Sequence, residues 1–307
     1  MVPKIKNIIL ITLVSVTFLK SEQPDYRLAI CSLFQNEGTF LKEWVEFHLL
    51  VGVQHFYLYN NYSSDNFKEI LEPYIKRGIV DLKDWNFSAC GCEAQMNCFN
   101  DVLKQTTGKV EWMAFLDLDE FLYPVNCDNL CAFLDDYKSC AAVCVNWFMF
   151  GTSDVKKIEN NQLMIEQLIR RDPKGNKHIK TIARPECISH FTSPHFAAFK
   201  PNFFQVNPDK IKFNGPFSPY ISSDKIRINH YWTRDIHYLN TVKLPRAEFL
   251  KTNFMVTDND SWYIPKEKAR SMSPSEWTLT ISNYMNTEED KTILKYIDNL
   301  RKQMFKN

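Results

Sequence analysis

The feature that most constrains this chain is a regular alternation of short apolar runs with amphipathic runs over its first half. Arg27 to Phe34 predicts a buried strand, and Phe40 to Val51 carries apolar residues at helical spacing and ends at Gly52. The same alternation continues as far as Phe150. Strands that alternate with helices are typical of a parallel α/β sheet with helices on both faces.

Polar clusters directly follow three of the predicted strands, at residues 35–37, 60–65 and 117–120. Ligands of such sheets bind at the carboxyl ends of the strands, because these ends meet along one edge. We therefore expect the three clusters to contribute to a single site.

The third cluster contains an acid pair, Asp117 and Asp119, after the apolar strand predicted over 111–116. Residues i and i+2 of an extended chain share a face, so the two carboxylates point the same way and repel each other. A hard divalent ion would neutralise them and keep positions for phosphate oxygens. The alternative is a solvated acidic turn, since a bare D-x-D is a common pattern. The position after a buried strand favours the ion.

Composition excludes some classes of partner. The 307 residues include 37 Lys+Arg and 36 Asp+Glu, a net charge of +1, which argues against nucleic acid held by bulk charge. A hydrophobic content of 45% with 24% charged residues is typical of a globular protein. Only 8 residues are glycine, which disfavours a glycine-rich nucleotide loop.

The N-terminal 24 residues form a separate unit. Lys4 and Lys6 precede an apolar run from Ile8 to Leu19, the pattern of a secretory signal peptide or an uncleaved signal-anchor, and a polar linker follows. We expect this segment to export the chain or to associate it with a membrane. The alternative is a cytoplasmic protein in which the run is buried in the main domain. The nine cysteines do not settle the compartment.

Four blocks of sequence together resemble the family-92 glycosyltransferases. They are NEGTFLKEWVEFHLLVGVQHFYLYNNYSSDN (36–66), WMAFLDLDEFLYP (112–124), NWFMFGTS (146–153) and INHYWT (228–233). The resemblance implies a GT-A (Rossmann-like) fold, in which a mixed sheet is flanked by helices in a single main domain. We expect that domain over residues 25–250, with a C-terminal helical extension, 251–307, packed on it.

The resemblance also implies an activity. Similar enzymes transfer a sugar from a nucleotide-sugar donor, here expected to be UDP-linked, to a hydroxyl of a glycan or other acceptor. It implies inversion at the sugar carbon and a dependence on Mn²⁺ or Mg²⁺. The alternative is a catalytically silent GT-A-like domain that binds sugar or serves as a scaffold.

The same resemblance implies roles for individual residues. Asp117, Asp119 and His230 are the expected metal ligands, and Asp117 is also expected to contact the donor. The other expected donor contacts lie at the first two strand ends: Glu37, Asp65, Asn36 and Asn61. Glu37 and Asp65 each have an alternative, because a carboxylate at either position suits the N-terminus of the helix that follows.

The catalytic base is not assigned by the sequence. An inverting transfer needs a carboxylate to accept the proton of the acceptor hydroxyl, and Glu186, Asp235 and Asp154 are candidates. Lys180 and Arg184 are candidates to neutralise a diphosphate, and the alternative is that both are solvated surface cations. The basic stretch 243–251 is expected to cover the site or to bind the acceptor.

Overall fold

The computed structural model describes residues 23–87, 91–249, 267–268 and 271–305. The predicted signal or anchor segment lies almost wholly outside these residues, so its export or anchoring role stays a prediction. Within the described ranges, no helix is both long and apolar enough to cross a membrane.

The first half of the described chain alternates strands with helices, as the sequence predicts. Its elements are β1 Tyr26–Phe34, α1 Gly38–Leu50, β2 His55–Asn60, α2 Phe67–Lys76, β3 Val80–Asp84, α3 Gly91–Thr106, β4 Val110–Phe115, β5 Glu120–Pro124, α4 Leu130–Leu134 and β6 Ala142–Met149. A 3₁₀ turn, Asp135–Tyr137, precedes β6.

Short strands dominate the second half. They follow in the order α5 Met164–Gln167, β7 Arg170–Arg171, β8 Asn176–Ala183, β9 Ile188–Ser193, β10 Phe196–Phe199, β11 Gln205–Val206, β12 Lys212–Phe213 and β13 Ile226–His230. The later elements are α6 Ile236–Tyr238, a π-helical turn Leu239–Lys243, α7 Leu244–Phe249, α8 Pro274–Tyr284, β14 Glu288–Glu289, a 3₁₀ turn Thr292–Tyr296 and α9 Ile297–Met304.

A ten-stranded mixed sheet forms the centre of the molecule and confirms the predicted fold class. Strands β3, β2, β1 and β4 are parallel neighbours in that order. Strand β8 then lies antiparallel between β4 and β6, and β13 pairs in parallel with the end of β6 and antiparallel with β5. The purely parallel pattern therefore ends at β4. The short helix α5 between β6 and β8 does not supply the crossover that a parallel connection needs.

The pairing of β13 fixes one of the predicted site residues. His230, the last residue of β13, lies opposite Glu120 of β5 on one side and Met149 of β6 on the other. Its backbone carbonyl also accepts a hydrogen bond from the Phe150 N–H at 2.8 Å. The register thus brings His230 to the acid turn that joins β4 to β5.

Helix α1 packs its apolar face on β5 and makes two hydrogen bonds to the chain that leaves the acid turn. The indole nitrogen of Trp44 donates to the Glu120 carbonyl at 2.8 Å, and His48 Nε2 accepts from the Leu122 N–H at 3.2 Å. The helix begins at Gly38, where a Cβ atom would lie 2.6 Å from Asn66 Oδ1. Only glycine allows this close approach of the two loops.

Residues 271–305 pack on the sheet domain. Helix α8 begins with a capping box between Ser273 and Glu276, and α9 buries Leu300 in the main core. Asp290 accepts from Arg171 at 2.7 Å and from Arg227 at 2.9 Å. These contacts fix the segment that follows α8 to β7 and β13.

Candidate active site

A cavity of about 560 Å³ opens at the carboxyl ends of the strands. Members of all three polar clusters line it, together with the ends of β6 and β13 and one side of α8. The lining includes Glu37, Asn61, Gln95, Asp117, Asp119, Trp147, His178, His195, His230, Trp232, Lys243, Arg246, Trp277 and Ile281. The structure thus brings the first, second and fourth strand ends together.

Asp117 is held by two side chains from different elements. Its Oδ2 accepts from Lys180 Nζ at 2.8 Å, and its Oδ1 accepts from Gln95 Nε2 of α3. Lys180 is fully buried on β8 and also lies 3.4 Å from Glu120 Oε2. Burial alone lowers the pKa of Lys180, but Asp117 and Glu120 outweigh it and hold the pKa above its usual range. This lysine therefore stays charged as an internal counter-ion.

Glu120 braces the turn from inside. Its Oε2 accepts from the Asp117 N–H at 2.9 Å, which closes the turn on itself. Burial raises the pKa of Glu120, and Lys180 opposes the shift. The other oxygen, Oε1, lies 3.9 Å from His230 Nδ1, and both atoms are buried without a hydrogen-bond partner among the described residues.

Asp119 faces different groups. Its Oδ1 lies 3.3 Å from His230 Nε2, and its Oδ2 lies 3.6 Å from Lys243 Nζ. Its backbone carbonyl accepts from the Tyr231 N–H at 2.8 Å, which fixes the residue beside β13. Burial raises the pKa of Asp119, but His230 and Lys243 outweigh it and hold the pKa well below its usual range. The carboxylate is therefore ionised at neutral pH.

The Asp119–His230 pair fits a divalent ion. Two ligands of one octahedral ion, each about 2.1 Å from it, lie about 3 Å apart, close to the observed spacing of carboxylate and imidazole. Within the described ranges, no group of three or more His, Cys, Asp or Glu side chains is arranged to hold a metal ion. An ion here would therefore take further ligands from a bound molecule or from water. Asp117, the third expected ligand, faces Lys180 and Gln95 instead.

Glu37 forms an ion pair with Arg234, a residue outside the sequence-based predictions. The guanidinium is fully buried and stacks over Phe40 at 4.2 Å and Tyr238 at 4.8 Å. Burial raises the pKa of Glu37, and Arg234 opposes the shift. Glu37 is the N-cap residue of α1, but its side chain makes no capping hydrogen bond and pairs with Arg234 instead. The only sequence signal for Arg234 is that it lies four residues after His230.

The remaining expected donor contacts divide into two groups. Asn61 lines the cavity, with its side-chain amide 2.8 Å from the Trp85 carbonyl oxygen. Asn36 and Asp65 join the first two loops behind it: Asn36 Oδ1 accepts from the Ser64 N–H at 2.8 Å, and Asp65 Oδ2 accepts from the Gly38 N–H at 2.7 Å. Asp65 Oδ1 also accepts from the Phe67 N–H at 3.4 Å, at the start of α2. Asp65 therefore contacts the N-termini of α1 and of the helix that follows it, rather than lining the cavity.

The three candidate bases lie away from the cavity lining. Asp235 caps α6, with one oxygen on the Tyr238 N–H and the other on the Ile158 N–H. Asp154 forms a surface ion pair with Arg170, and Glu186 is exposed in the 3₁₀ turn Pro185–Cys187. None of the three touches the acid turn, so the base stays unassigned.

An aromatic wall faces the acid turn. The Trp147 ring stacks on His178 at 5.1 Å and meets His195 at 4.9 Å and His230 at 4.8 Å. Burial lowers the pKa of His178 to about 4 and that of His195 well below its usual value. These two imidazoles are therefore neutral at pH 7, and the wall presents flat, uncharged faces to the cavity.

The two cations predicted to meet a diphosphate are engaged elsewhere. Lys180 is buried behind Asp117, and Arg184 pairs with Glu111 at 3.4 Å and stacks over Trp112 at 4.5 Å. Within the described ranges, the lysine and arginine that line the cavity are Lys243 and Arg246. Both belong to the basic stretch 243–251, which the sequence predicts to cover the site or to bind the acceptor. The part of that stretch after Phe249 lies outside the described residues.

Comparison with known sequences gives a family for most of the chain. The family model described as Glycosyltransferase family 92 matches residues 26–278. A glycosyltransferase family 92 protein from Ricinus communis is 27% identical over 199 residues, which cover 62% of this chain and 35% of that protein. One from Oryza sativa subsp. japonica is 27% identical over 112 residues, 32% of this chain and 16% of that protein. The chain thus matches about a third or less of the length of these relatives.

Comparison with solved structures gives distant similarities. The S. aureus TarS 1-349 structure is 12% identical with a TM-score of 0.40, and it covers 91% of this chain and 86% of that one. The glucosyl-3-phosphoglycerate synthase of Mycobacterium tuberculosis, solved in complex with Mn²⁺, UDP and glucosyl-3-phosphoglycerate, is 11% identical with a TM-score of 0.30. It covers 53% of this chain and 58% of that one. At these TM-scores the likeness has no bearing on substrate or mechanism.

Proposed function

The chain belongs to glycosyltransferase family 92, and we propose that it transfers a sugar from a nucleotide-sugar donor to a hydroxyl of a glycan or other acceptor. We propose a UDP-linked donor, a dependence on Mn²⁺ or Mg²⁺, and inversion at the sugar carbon. The observation that carries the proposal is the acid turn Asp117–Glu120. It opens into the strand-end cavity of a family-92 domain and presents Asp119 beside His230.

The chain's own residues supply the binding chemistry. Asp119 and His230 would hold the ion, and Lys180 and Gln95 keep the neighbouring Asp117 in one orientation. Glu37, fixed by Arg234, offers a carboxylate oxygen at the end of β1, where it can accept from a nucleoside hydroxyl or imide. When bound, the ion supplies positive charge to the departing diphosphate.

The transfer itself forms one bond and breaks one. The acceptor hydroxyl oxygen bonds to the anomeric carbon of the donor sugar, and the bond from that carbon to the diphosphate oxygen breaks. The bonding pair leaves with the nucleoside diphosphate, and the hydroxyl proton passes to a base. Inversion follows if the hydroxyl attacks opposite the departing diphosphate.

The shape of the cavity supports a sugar at this position. Trp147 with its neutral histidines forms one wall, and Trp232 and Trp277 meet edge to face at 6.2 Å on another. Both tryptophans are half-buried, so part of each ring faces the cavity. Aromatic faces of this kind pack well on the apolar face of a pyranose.

The alternative of a catalytically silent sugar-binding or scaffold domain shares the cavity and differs in one property. A silent domain has no reason to bind a nucleotide in a metal-dependent way. The intact Asp119–His230 pair, together with a cation-bearing helix at the cavity, favours the enzyme.

The test is a donor screen. The purified chain is incubated with Mn²⁺ and a panel of UDP- and GDP-sugars, and released nucleoside diphosphate is measured. We expect release of UDP from one UDP-sugar, at least by slow hydrolysis of the donor. EDTA should abolish this release. Calorimetry of UDP with and without Mn²⁺ runs in parallel. No UDP binding under either condition would contradict the proposal.

A further inference from the structure

We propose that Lys243 is an exchangeable cation: it neutralises Asp119 when no divalent ion is bound, and it contacts the donor diphosphate when an ion takes that carboxylate. The inference rests on the proposed function, because it assumes a nucleoside diphosphate in the cavity. It deepens that function by naming the residue that meets the leaving group.

The charge inventory of the cavity leads to this residue. A diphosphate brings further negative charge to a site in which Arg234 already pairs with Glu37 and Lys180 already pairs with Asp117. Lys180 is fully buried between Asp117 and Glu120. Of the lysine and arginine side chains in the described ranges, the ones that line the cavity are Lys243 and Arg246.

The geometry of Asp119 divides its two oxygens between two partners. Oδ1 lies toward His230, in the position that fits a shared ion, and Oδ2 lies toward Lys243 at 3.6 Å. That distance is too long for a hydrogen bond, so the attraction is electrostatic and can be exchanged for a better partner. An ion on Asp119 would repel the ammonium group and weaken this attraction.

The surroundings of the Lys243 side chain allow it to change partners. It is 14% exposed and its ammonium lies 5.2 Å from the centre of the Trp232 ring, which gives the charge a second favourable contact. Lys243 is the last residue of the π-helical turn Leu239–Lys243, and such irregular turns often occur at functional sites. Arg246 follows on the next turn and also lines the cavity.

The consequence is a pair of opposite effects. Lys243 competes with the ion for Asp119 when no nucleotide is bound, and it helps the ion to hold a diphosphate when one is bound. A residue that only supports the structure would change both affinities in the same direction. Removing the charge should therefore tighten metal binding and weaken nucleotide binding.

The experiment compares the wild-type full chain with Lys243→Met, which keeps the approximate length of the side chain and removes its charge, including the contact of the ammonium with the Trp232 ring. Lys291→Met is the matched control, because Lys291 is an exposed lysine paired with Glu289 outside the cavity. Mn²⁺ affinity is measured without nucleotide, from the electron paramagnetic resonance signal of the free ion. UDP and uridine affinities are measured by calorimetry at saturating Mn²⁺, and thermal unfolding checks the fold.

We expect Lys243→Met to bind Mn²⁺ roughly threefold more tightly, as for the loss of a competing, partly exposed ion pair. We expect its UDP affinity to fall roughly tenfold or more, as for a lost charge-assisted hydrogen bond, with uridine affinity unchanged. Mn²⁺ affinity equal to that of the control, UDP affinity equal to that of the control, or a matching loss of uridine affinity would each overturn the inference. A wild-type chain that binds Mn²⁺ but not UDP contradicts the proposed function, whereas wild-type UDP binding that Lys243→Met retains overturns this inference alone.

Discussion

Two acid–lysine pairs lie on either side of Leu118, and they differ in almost every physical respect. Lys180 comes from a strand, is fully buried and donates to Asp117 at 2.8 Å. Lys243 comes from a π-helical turn, is partly exposed and lies 3.6 Å from Asp119. The first pair is therefore a fixed part of the sheet, and the second is an open contact at the cavity.

The difference shows how one D-x-D turn can serve two purposes. Asp117 is neutralised inside the protein, so its charge does not have to be compensated by a ligand. Asp119 keeps an ionised carboxylate next to His230 with a partner that can be displaced. We expect substitutions at the Asp119 pair to change binding and those at the Lys180 pair to change stability. The predictions below test this division.

The largest expected effect is on activity, from Asp119→Asn. The amide keeps the size of the side chain but loses the charge that an ion needs, so Mn²⁺-dependent UDP binding and sugar release should fall about 100-fold or more. Thermal unfolding should stay close to that of wild type. The matched control is Asp209→Asn, at a partly exposed ion pair with Lys225 outside the cavity, which should retain UDP binding and sugar release. Full Mn²⁺-dependent turnover in Asp119→Asn would remove this residue from the metal site.

The next largest effect is on stability, from Lys180→Met. Removing the buried ammonium leaves Asp117 and Glu120 facing each other without a counter-ion, which should cost about 3 kcal/mol of unfolding free energy. Urea denaturation followed by circular dichroism measures it.

The comparison for Lys180→Met is Lys291→Met, which removes an exposed lysine and should stay within about 0.5 kcal/mol of wild type. Equal unfolding free energies for the two variants would mean that Lys180 is not the counter-ion that the sheet requires. The division between the two pairs would then fail.

The sequence predicts the part of the site that comes from the alternating strands and helices of the first half of the chain. The acid turn comes directly after a buried strand, so its place at the edge of the parallel strands follows from periodicity alone. His230 is reached only through the resemblance, because the antiparallel pairing of β13 with β5 depends on contacts between residues about 100 positions apart.

The cations were the weakest part of the sequence-based prediction. The sequence makes both Lys180 and Arg184 candidates for the diphosphate, yet β8 enters the sheet between β4 and β6 and buries Lys180. Sequence patterns at this level do not separate a buried counter-ion from a ligand-binding lysine. That distinction depends on which carboxylate lies across the sheet.

Double-mutant cycles sharpen the comparison at an intermediate size of effect. Asp117→Asn with Lys180→Met should show a coupling in unfolding free energy above about 1.5 kcal/mol, because the two groups share a buried hydrogen bond. Asp119→Asn with Lys243→Met should show less than about 1 kcal/mol, the usual range for a partly exposed ion pair. Chemical denaturation of the four single and two double variants gives both values. A larger coupling for the Asp119 pair would reverse the assignment of fixed and exchangeable contacts.

The smallest expected effect is on the pH dependence of stability, and it tests whether burial alone keeps a base uncharged. His48 is as buried as Lys180, but its ring contacts the Trp44 carbonyl and the Leu122 N–H rather than a carboxylate. Burial lowers its pKa to about 3 from a usual value of 6.5. Between these values the unfolded chain binds the proton and the folded chain does not. Stability from this group is therefore complete above about pH 6.5 and declines as the pH falls toward 3.

Wild type should lose about 1 kcal/mol more unfolding free energy than His48→Gln when urea denaturation is moved from pH 7.5 to pH 5.5. The glutamine keeps an acceptor for the Leu122 N–H without titrating. Equal losses in the two proteins would mean that His48 is protonated in the fold, and that burial without a carboxylate does not suffice to keep a base neutral here.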